Sequence, residues 1–312
     1  MILSVTLNPS IDLTLFVDGL KLHDTNRVGR VETDAGGKGV NLSRVAVELG
    51  SESVATGFLG GGPGAFVRKV LDVQGAGHDF IEIGADTRTN FSVEDGTGEP
   101  PTTLNMKGPH VTAEEWERLV ARVTEWSAKC SWVALGGSLP QGVPVDAYKS
   151  LGQIAKAAGA RLSLDADGES LRQGLEAKPH FIKPNGKEAG RLLGRKVESV
   201  EDAIFAAEEL LQYLEDDGVC VVSLGELGAV CAVQGATYIG RPVEVEAKST
   251  IGSGDSLVGA MLGALEKGSS LEDALRVGVA AGAATATTNG AEIARRAVVE
   301  EILPQVTVES AH

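Results

Sequence analysis

Short apolar runs alternate with amphipathic helical patterns through most of the chain. Runs typical of buried strands lie at 2–7, 54–59, 132–135, 162–165, 181–183 and 220–224. Helical periodicity lies at 40–49, 63–73, 113–127, 146–158 and 200–214. Because strands and helices alternate in sequence, the pattern predicts an α/β fold with a mainly parallel central sheet and helices on both of its faces.

Two stretches, at about 12–34 and 86–106, break this alternation. In the second, apolar positions at 91–93 and 102–104 flank an acidic turn that is rich in glycine and proline. Alternation and turn residues predict short antiparallel strands that stand apart from the main sheet. These strands form either a lid over a binding site or ordinary surface hairpins, and composition does not choose between the two.

The net charge of the chain limits the kinds of molecule that it is expected to bind. The 312 residues include 28 Lys and Arg against 43 Asp and Glu, a formal net charge of −15 at pH 7. Such a charge opposes non-specific binding to nucleic acid and docking on an anionic membrane, so we expect a small-molecule substrate. An anionic substrate then needs a local cluster of basic side chains, because the field of the whole protein repels it.

Cysteine and histidine usage predicts no metal centre of its own. Cys130, Cys220 and Cys231 are widely spaced, so we expect core residues in a reducing cytosol. The histidines do not cluster, and no zinc site is predicted. The first apolar run lacks a preceding basic region and is typical of a strand, not a signal peptide or membrane span, which favours a cytoplasmic protein. The Ala/Gly-rich stretch 277–289 predicts a helix packed closely on its neighbour.

The segment 250–256 carries the most informative chemistry. Leu257, Met261 and Leu265 recur every four residues, so 252–255 is expected to form the first turn of a helix. Free backbone N–H groups and two glycines there predict a phosphate site. Asp255 in such a site is expected to take a proton from an attacking hydroxyl. Alternatively, it only complements the helix dipole and the glycines only make a turn.

A second glycine cluster, at 34–41, also opens a helical pattern but does not match the Walker pattern. Lys38 and Asn41 offer hydrogen-bond donors there, and a turn with a solvated lysine is the alternative. At 185–188, the spacing is that of a capping box, and Glu188 is also a candidate Mg²⁺ ligand. The segment 223–228 follows a predicted strand, where it either binds a ligand or forms a hairpin turn.

Taken in order, these segments resemble the carbohydrate kinases of the ribokinase, or PfkB, family, and the resemblance covers nearly the whole chain. The matching segments are 6–12, 36–41, 137–140, 183–188, 223–225 and 252–256. The resemblance implies a single ribokinase-like three-layer αβα domain over 1–312 with a small β-sheet lid. It also implies phosphoryl transfer from ATP, with Mg²⁺, to a sugar hydroxyl.

Within the family, Arg27, Lys38, Arg88 and the helix at 111–118 resemble the branch that acts on sugar phosphates. The 1-phosphofructokinases are the most similar group, with the tagatose-6-phosphate kinases next. Three basic side chains also suit a substrate that already carries a phosphate. The resemblance therefore implies phosphorylation of a ketose phosphate, foremost fructose 1-phosphate to fructose 1,6-bisphosphate, with tagatose 6-phosphate or fructose 6-phosphate as alternatives.

The resemblance assigns a role to each candidate residue. Asp255 is the implied base, and the backbone donors beside it belong to Gly252, Ser253 and Gly254. The implied substrate-binding residues are Asp12, Arg27, Gly37, Lys38, Asn41, Arg88 and Ser138. The implied nucleotide-binding residues are Lys183, Asn185, Ser223, Gly225, Gly228, Gly254 and Gly282. Glu188 is the implied Mg²⁺ ligand, directly or through water.

Two departures and two competing functions remain open. Ser253 stands where the family has alanine, and Gly136 stands where the sugar-phosphate branch has serine. A non-catalytic sugar-phosphate sensor with the same fold is one competitor. A dinucleotide-dependent oxidoreductase is the other, and the missing Gly-x-Gly-x-x-Gly after the first strand counts against it. Exposed strand edges on a lid favour pairing, so we expect a homodimer through the lids.

Overall fold

The structure, a computed structural model, describes residues 1–97, 101–290 and 292–311. Its strands are β1 (Ile2–Thr6), β2 (Ser10–Val17), β3 (Val28–Gly36), β4 (Ser53–Leu59), β5 (Gly77–His78), β6 (Ile81–Glu82), β7 (Arg88–Glu94), β8 (Thr102–Leu104), β9 (Trp132–Gly136), β10 (Arg161–Asp165), β11 (Phe181–Ile182), β12 (Val219–Ser223), β13 (Ala229–Val233), β14 (Ala236–Arg241) and β15 (Thr307–Ser310). Its helices are α1 (Lys38–Glu48), α2 (Gly61–Gln74), α3 (Ala113–Ser127), α4 (Ala147–Ala157), α5 (Gly168–Leu175), α6 (Gly186–Leu193), α7 (Val200–Leu210), α8 (Ser253–Glu266), α9 (Leu271–Ala286) and α10 (Arg296–Ile302).

The main sheet is mostly parallel. Its order is β15-β14-β13-β12-β11-β10-β9-β1-β4-β5, and β6 also pairs with β4. All pairs from β12 through β5 are parallel. The last strands, β13 to β15, are antiparallel. Short turns without a crossover helix join β12 to β13 and β13 to β14, whereas β15 pairs with β14 only after α8, α9 and α10.

The sheet separates two hydrophobic cores. Successive side chains of a strand point to opposite faces. In β9, Val133 and Leu135 therefore enter one core, while Trp132 and Ala134 enter the other. Helices α3, α4 and α7 cover the first core, and α8, α9 and α10 cover the second. The predicted α/β fold with a mainly parallel sheet and helices on both faces is confirmed.

The separate small sheet, made of β2, β3, β7 and β8, is also confirmed, with the order β3-β2-β7-β8. The expectation that its strands are all antiparallel is wrong for one pair: β2 and β7 run parallel, from Ser10 opposite Arg88 to Phe16 opposite Glu94. The chain returns to β7 only after β4, α2, β5 and β6, so a long crossover replaces a hairpin. Part of the predicted turn, at 98–100, lies outside the described residues.

Helices α8 and α9 pack closely, as the Ala/Gly-rich stretch predicts. A Cβ on Gly278 of α9 would lie 2.5 Å from Met261 Cγ of α8. Cys130, Cys220 and Cys231 are buried free thiols, as expected of core residues. In the parts of the chain that the structure describes, no helix combines the length and hydropathy of a bilayer span.

Candidate active site

The candidate residues Lys38, Asn41, Lys183 and Asp255 meet at the carboxyl edge of the parallel strands, the usual place for ligands in open α/β sheets. β1, β9 and β10 end there at Thr6, Gly136 and Asp165. Helices α1 and α8 begin at the same edge, and their first residues face each other across it. Asn41 of α1 donates from Nδ2 to Oδ2 of Asp255 of α8 over 2.8 Å.

Helix α8 begins where the sequence predicts. Gly252 occupies the position before the helix with φ +77°, a left-handed conformation that favours glycine. Ser256 N–H then donates to the Gly252 carbonyl over 2.8 Å, the first bond of the helix. The N–H groups of the first turn have no acceptor within the helix. An anion placed beside this turn can accept hydrogen bonds from them.

Asp255 lies half-buried in that first turn. Burial raises the pKa of its carboxyl to about 6, and the nearby charge of Asp165 acts in the same direction. The cation of Lys38 and the hydrogen bond from Asn41 oppose the rise. The result is a carboxylate that titrates close to neutral pH, the property of a general base.

An ion network lies next to Asp255. Lys38 Nζ donates to Asp165 Oδ1 over 2.6 Å, and Lys183 Nζ lies 3.6 Å from Asp165 Oδ2. Burial disfavours the Lys38 cation, but the surrounding carboxylates outweigh it and raise the Lys38 pKa above its usual value. Burial likewise disfavours the Asp165 anion, yet the two lysines hold its pKa below the usual range. Each charge is thus retained by its neighbours.

Asp165 is the main residue that the sequence analysis does not assign to the site. The sequence feature that could have identified it is a carboxylate at the end of the otherwise mostly apolar run 162–165, which is typical of a buried strand. Only the fold shows that its partners are Lys38 and Lys183, which lie on segments far away in the sequence.

At the start of α1, the space beside Gly37 and Gly39 is occupied by other atoms of the protein. Gly37 has φ +115°, and a Cβ there would lie 2.7 Å from Thr6 Cγ2. A Cβ on Gly39 would lie 2.6 Å from Thr6 Oγ1. The same Oγ1 accepts a hydrogen bond from Val40 N over 2.9 Å. These glycines let α1 begin directly against the end of β1.

The capping box at α6 is confirmed. Asn185 Oδ1 accepts from Glu188 N over 2.9 Å, and Glu188 Oε2 accepts from Asn185 N over 2.8 Å. Glu188 is nevertheless buried beside the ion network, where its charge acts on Lys38. Glu188 can both cap α6 and bind a metal ion, because the capping box uses only one of its two carboxylate oxygens.

On the side of the small sheet, Arg88 and Ser138 both contact Asn8. Arg88 Nε donates to the Asn8 carbonyl over 3.2 Å, and a second guanidinium nitrogen donates to the Met106 carbonyl over 2.8 Å. Asn8 Nδ2 donates to Ser138 Oγ over 3.1 Å. Two predicted substrate residues are therefore joined through a buried asparagine.

Asp12 lies on β2 of the small sheet. Its Oδ1 accepts from Ser10 Oγ over 2.8 Å and from Asn90 Nδ2 over 2.9 Å. Arg27 is exposed in the segment before β3 and has no hydrogen bond or ion pair with any described residue. The three predicted phosphate-binding cations therefore have separate surroundings: Lys38 bonds Asp165, Arg88 bonds two backbone carbonyls, and Arg27 is exposed.

The candidate nucleotide residues lie around the starts of α6 and α8. Asn185 and Ser223 form an isolated parallel bridge, so the ends of β11 and β12 are adjacent. A Cβ on Gly254 would lie 3.1 Å from Lys183 Nζ. A Cβ on Gly282 of α9 would lie 3.3 Å from the Ser253 carbonyl, which places Gly282 against the start of α8.

Gly225 and Gly228 belong to the turn between β12 and β13. Gly225 has φ +60° with nothing nearby, whereas Gly228 has φ +93° and a Cβ there would lie 2.1 Å from the Gly240 carbonyl. β12 and β13 pair antiparallel across this turn, so the hairpin is present. Glycine is required at Gly228 because a Cβ there would clash with the Gly240 carbonyl.

Both departures from the family pattern lie within this site. A Cβ on Gly136 would lie 3.3 Å from Lys38 Cβ and 3.1 Å from the Asp165 carbonyl, so a serine would press on the ion network. Ser253 Oγ is buried and has no hydrogen-bond partner among the described residues.

Comparison with known proteins agrees with this arrangement. The profile of the "pfkB family carbohydrate kinase" matches residues 3–297. A 1-phosphofructokinase of Bacillus subtilis is 32% identical over 308 residues, covering 99% of each chain. A 1-phosphofructokinase of Haloferax volcanii is 36% identical over 280 residues, covering 89% of this chain and 88% of the relative.

Among solved structures, phosphofructokinase-2 from Escherichia coli in complex with substrates and products has a TM-score of 0.90 at 29% identity. The match covers 97% of this chain and 98% of that one. The chain therefore belongs to the pfkB family of carbohydrate kinases and is a phosphotransferase that uses an alcohol group as acceptor.

Proposed function

We propose that this chain transfers the γ-phosphoryl group of ATP to a hydroxyl of fructose 1-phosphate, which yields fructose 1,6-bisphosphate and ADP. The observation that carries the proposal is the carboxylate of Asp255 at the first turn of α8, held by Asn41. The names of the two sequence relatives support the choice of sugar. Tagatose 6-phosphate and fructose 6-phosphate are the alternative acceptors.

In the proposed reaction, Asp255 accepts the proton of the acceptor hydroxyl. The hydroxyl oxygen forms a bond to the γ-phosphorus while the bond between that phosphorus and ADP breaks. Backbone N–H groups of Gly252, Ser253 and Gly254 stabilise the negative charge that develops on the transferring group. A pKa of about 6 leaves Asp255 ionised at neutral pH, as a proton acceptor must be.

Substrate binding is assigned to the side of the small sheet. Asp12 and Asn41 hold sugar hydroxyls. The space beside the Gly37 Cα is filled by Thr6, so Gly37 can contribute only its backbone groups to the sugar site. The phosphate already on the sugar is held by Arg88, Lys38 and Arg27, with Ser138 beside them. The contacts of Arg88 and Ser138 with Asn8 support this assignment, because they hold a cation and a hydroxyl close together. A local cation of this kind is what an anionic substrate needs in a protein with a negative net charge.

The nucleotide lies on the other side of Asp255. Its proposed contacts are Lys183, Asn185, Ser223, Gly225, Gly228, Gly254 and Gly282. Mg²⁺ takes oxygen ligands. The capping box engages Oε2 of Glu188, so Oε1 fits a ligand role, directly or through water. Bound Mg²⁺ supplies positive charge that neutralises the nucleotide phosphates.

We further propose that the whole chain is one kinase domain whose small sheet closes over the sugar and excludes water. The edge strands of that sheet, β3 and β8, expose Val28, Val31 and Leu104. Apolar side chains on unpaired edges favour association with a second copy. This supports a homodimer through the small sheets.

Steady-state kcat/KM for fructose 1-phosphate, fructose 6-phosphate and tagatose 6-phosphate with Mg-ATP tests the proposal. ADP release is measured with a coupled assay, and fructose 1-phosphate is expected to give the highest value. A higher value for either other sugar transfers the assignment to that sugar. Binding of all three without ADP release would contradict a kinase and favour a sensor.

A further inference from the structure

An arginine inside α1 has no part in the functions described so far. Arg44 is only 3% exposed, although arginine is seldom fully buried unless it is paired. Its Nε donates to Gln74 Oε1 of α2 over 2.8 Å. One terminal nitrogen donates to the Ala35 carbonyl of β3 over 2.9 Å and to Asn41 Oδ1 over 3.4 Å. Arg44 thus ties α1 to α2 and to the small sheet.

The contact with Asn41 constrains an amide that bonds the catalytic carboxylate. A guanidinium donates hydrogen bonds and cannot accept them, and a carboxylate accepts them and cannot donate. With Arg44 on one side and Asp255 on the other, Asn41 must present Oδ1 to the first and Nδ2 to the second. A flipped amide would face donor to donor and acceptor to acceptor, so a single orientation is selected.

That orientation distinguishes the two oxygens of Asp255. Asn41 bonds Oδ2, and no described residue donates a hydrogen bond to Oδ1. We propose that Arg44 is a positioning residue for phosphoryl transfer, which acts through the Asn41 amide to hold Oδ2 of Asp255 and leave Oδ1 to take the proton. This inference rests on the proposed role of Asp255 as base.

Charges on the surrounding elements act on both ends of this chain of contacts. Arg44 is faced by the carboxylates of Asp12, Asp34 and Glu292 and by one cation, Arg295. Asp255 is faced by Lys38 of α1, by Asp165 at the end of β10 and by Lys183 after β11. Burial lowers the pKa of the Arg44 guanidinium and the three carboxylates oppose this change, so the group remains a cation. These carboxylates act on the charge of Arg44, whereas the effect of Arg44 on Asp255 passes through the amide of Asn41.

The test is a double-variant cycle of Arg44→Met and Asn41→Ala, with kcat and KM measured against pH for fructose 1-phosphate and Mg-ATP. Arg44→Met is expected to lower kcat by about 10- to 100-fold, the scale of a misplaced catalytic group, with KM for ATP nearly unchanged. The acidic limb of kcat shifts to higher pH, because Asp255 loses a dependable donor. The double variant is expected to be no slower than Asn41→Ala alone.

Ser43→Ala is the matched control within α1. Ser43 is buried and hydrogen-bonds to Ser4 and Ser53, both 2.7 Å away, with no link to Asn41. It is expected to lose stability while the pH profile stays unchanged. If Arg44→Met does not fold, Arg44→Lys replaces it, since a lysine keeps the charge but cannot reproduce the forked contacts.

Two results would overturn the inference. One is a wild-type kcat and pH profile in the Arg44 variant. The other is a double variant whose kcat loss equals the product of the two single losses, since independent effects multiply. Failure of the proposed function looks different, because Asp255→Asn would then retain turnover whatever the Arg44 variants do.

Discussion

The chain opens two helices with glycine at the same edge of the sheet, and the two openings differ in what occupies the space beside them. At α1, Gly37 and Gly39 are packed against Thr6, whose hydroxyl also accepts the Val40 N–H of the first helical turn. At α8, the atoms nearest to a Cβ on Gly252 lie 3.7 Å and 3.9 Å away, and only the tip of Lys183 approaches Gly254. Glycine at α1 serves packing, whereas glycine at α8 leaves room for a ligand.

The acidic residue lies at the helix start that has free space beside it. Asp255 lies in the first turn of α8, and the charges of Lys38, Asp165 and Lys183 surround it. At α1, no acidic residue occupies the first turn. A site for an anion with a base beside it therefore forms at one of two helices that look alike in sequence.

The largest expected effect comes from Asp255→Asn. The amide keeps the size of the side chain but cannot take the proton, so kcat should fall by about 10²- to 10⁴-fold. ADP release with Mg-ATP and fructose 1-phosphate measures it. Retention of wild-type turnover would remove Asp255 from the mechanism and with it the functional distinction between the two helices.

A matched pair of glycine variants tests the comparison itself. Gly37→Ala should destabilise the fold by about 1–3 kcal/mol, because φ +115° and the contact with Thr6 both resist a Cβ. Gly254→Ala should leave thermal stability nearly unchanged, since the end of Lys183 can move. Its kcat/KM for Mg-ATP should instead fall by about 10- to 100-fold.

Thermal unfolding and steady-state kinetics of both variants check this pair. If Gly37→Ala is stable and Gly254→Ala unfolds, the assignment of packing to α1 and of ligand space to α8 is reversed.

Thr6→Val tests the start of α1 through a single hydrogen bond. It keeps the shape of the side chain but leaves the Val40 N–H without its acceptor, at a cost of about 1–3 kcal/mol. Chemical denaturation measures the loss of stability. An unchanged free energy of unfolding would mean that the start of α1 does not depend on this hydroxyl.

The mildest prediction concerns pH. Because Asp255 must be ionised to accept a proton, kcat/KM should be constant near neutral pH and decline as pH falls through about 6, the raised pKa of this carboxyl in the protein without substrate. The folded state then binds that proton more tightly than the unfolded chain, so this group adds stability as pH falls from about 6 to 3.8. A decline in kcat/KM centred near 4 would contradict the rise that burial gives to the pKa of Asp255.

The sequence predicts most helices from their one buried face, and it predicts β1, β4, β9, β10, β11 and β12 as continuous apolar runs, because these strands are covered on both faces. The capping boxes at Thr112 and Asn185 are likewise visible in sequence, since their partners are three residues apart. Local patterns do not contain the pairing of β2 with β7, whose strands come together only after a long crossover.

The candidate site is predictable in its residues and less so in their partners. The sequence indicates Lys38 and Asp255 but not Asp165, which joins the first of these to Lys183. Arg44 occupies a helical position that is equally compatible with solvent, and only its burial marks it. The sequence also cannot show whether a glycine leaves room for another part of the protein or for a ligand, because glycine is the required residue in both cases.

The most direct test of the central claim is a crystal structure with fructose 1-phosphate, Mg²⁺ and a non-hydrolysable ATP analogue. The account predicts the γ-phosphate at the first turn of α8 and an Asp255 oxygen within about 2.6–3.2 Å of the acceptor hydroxyl. A γ-phosphate at the start of α1, or a carboxylate of Asp255 turned away from the sugar, would contradict it.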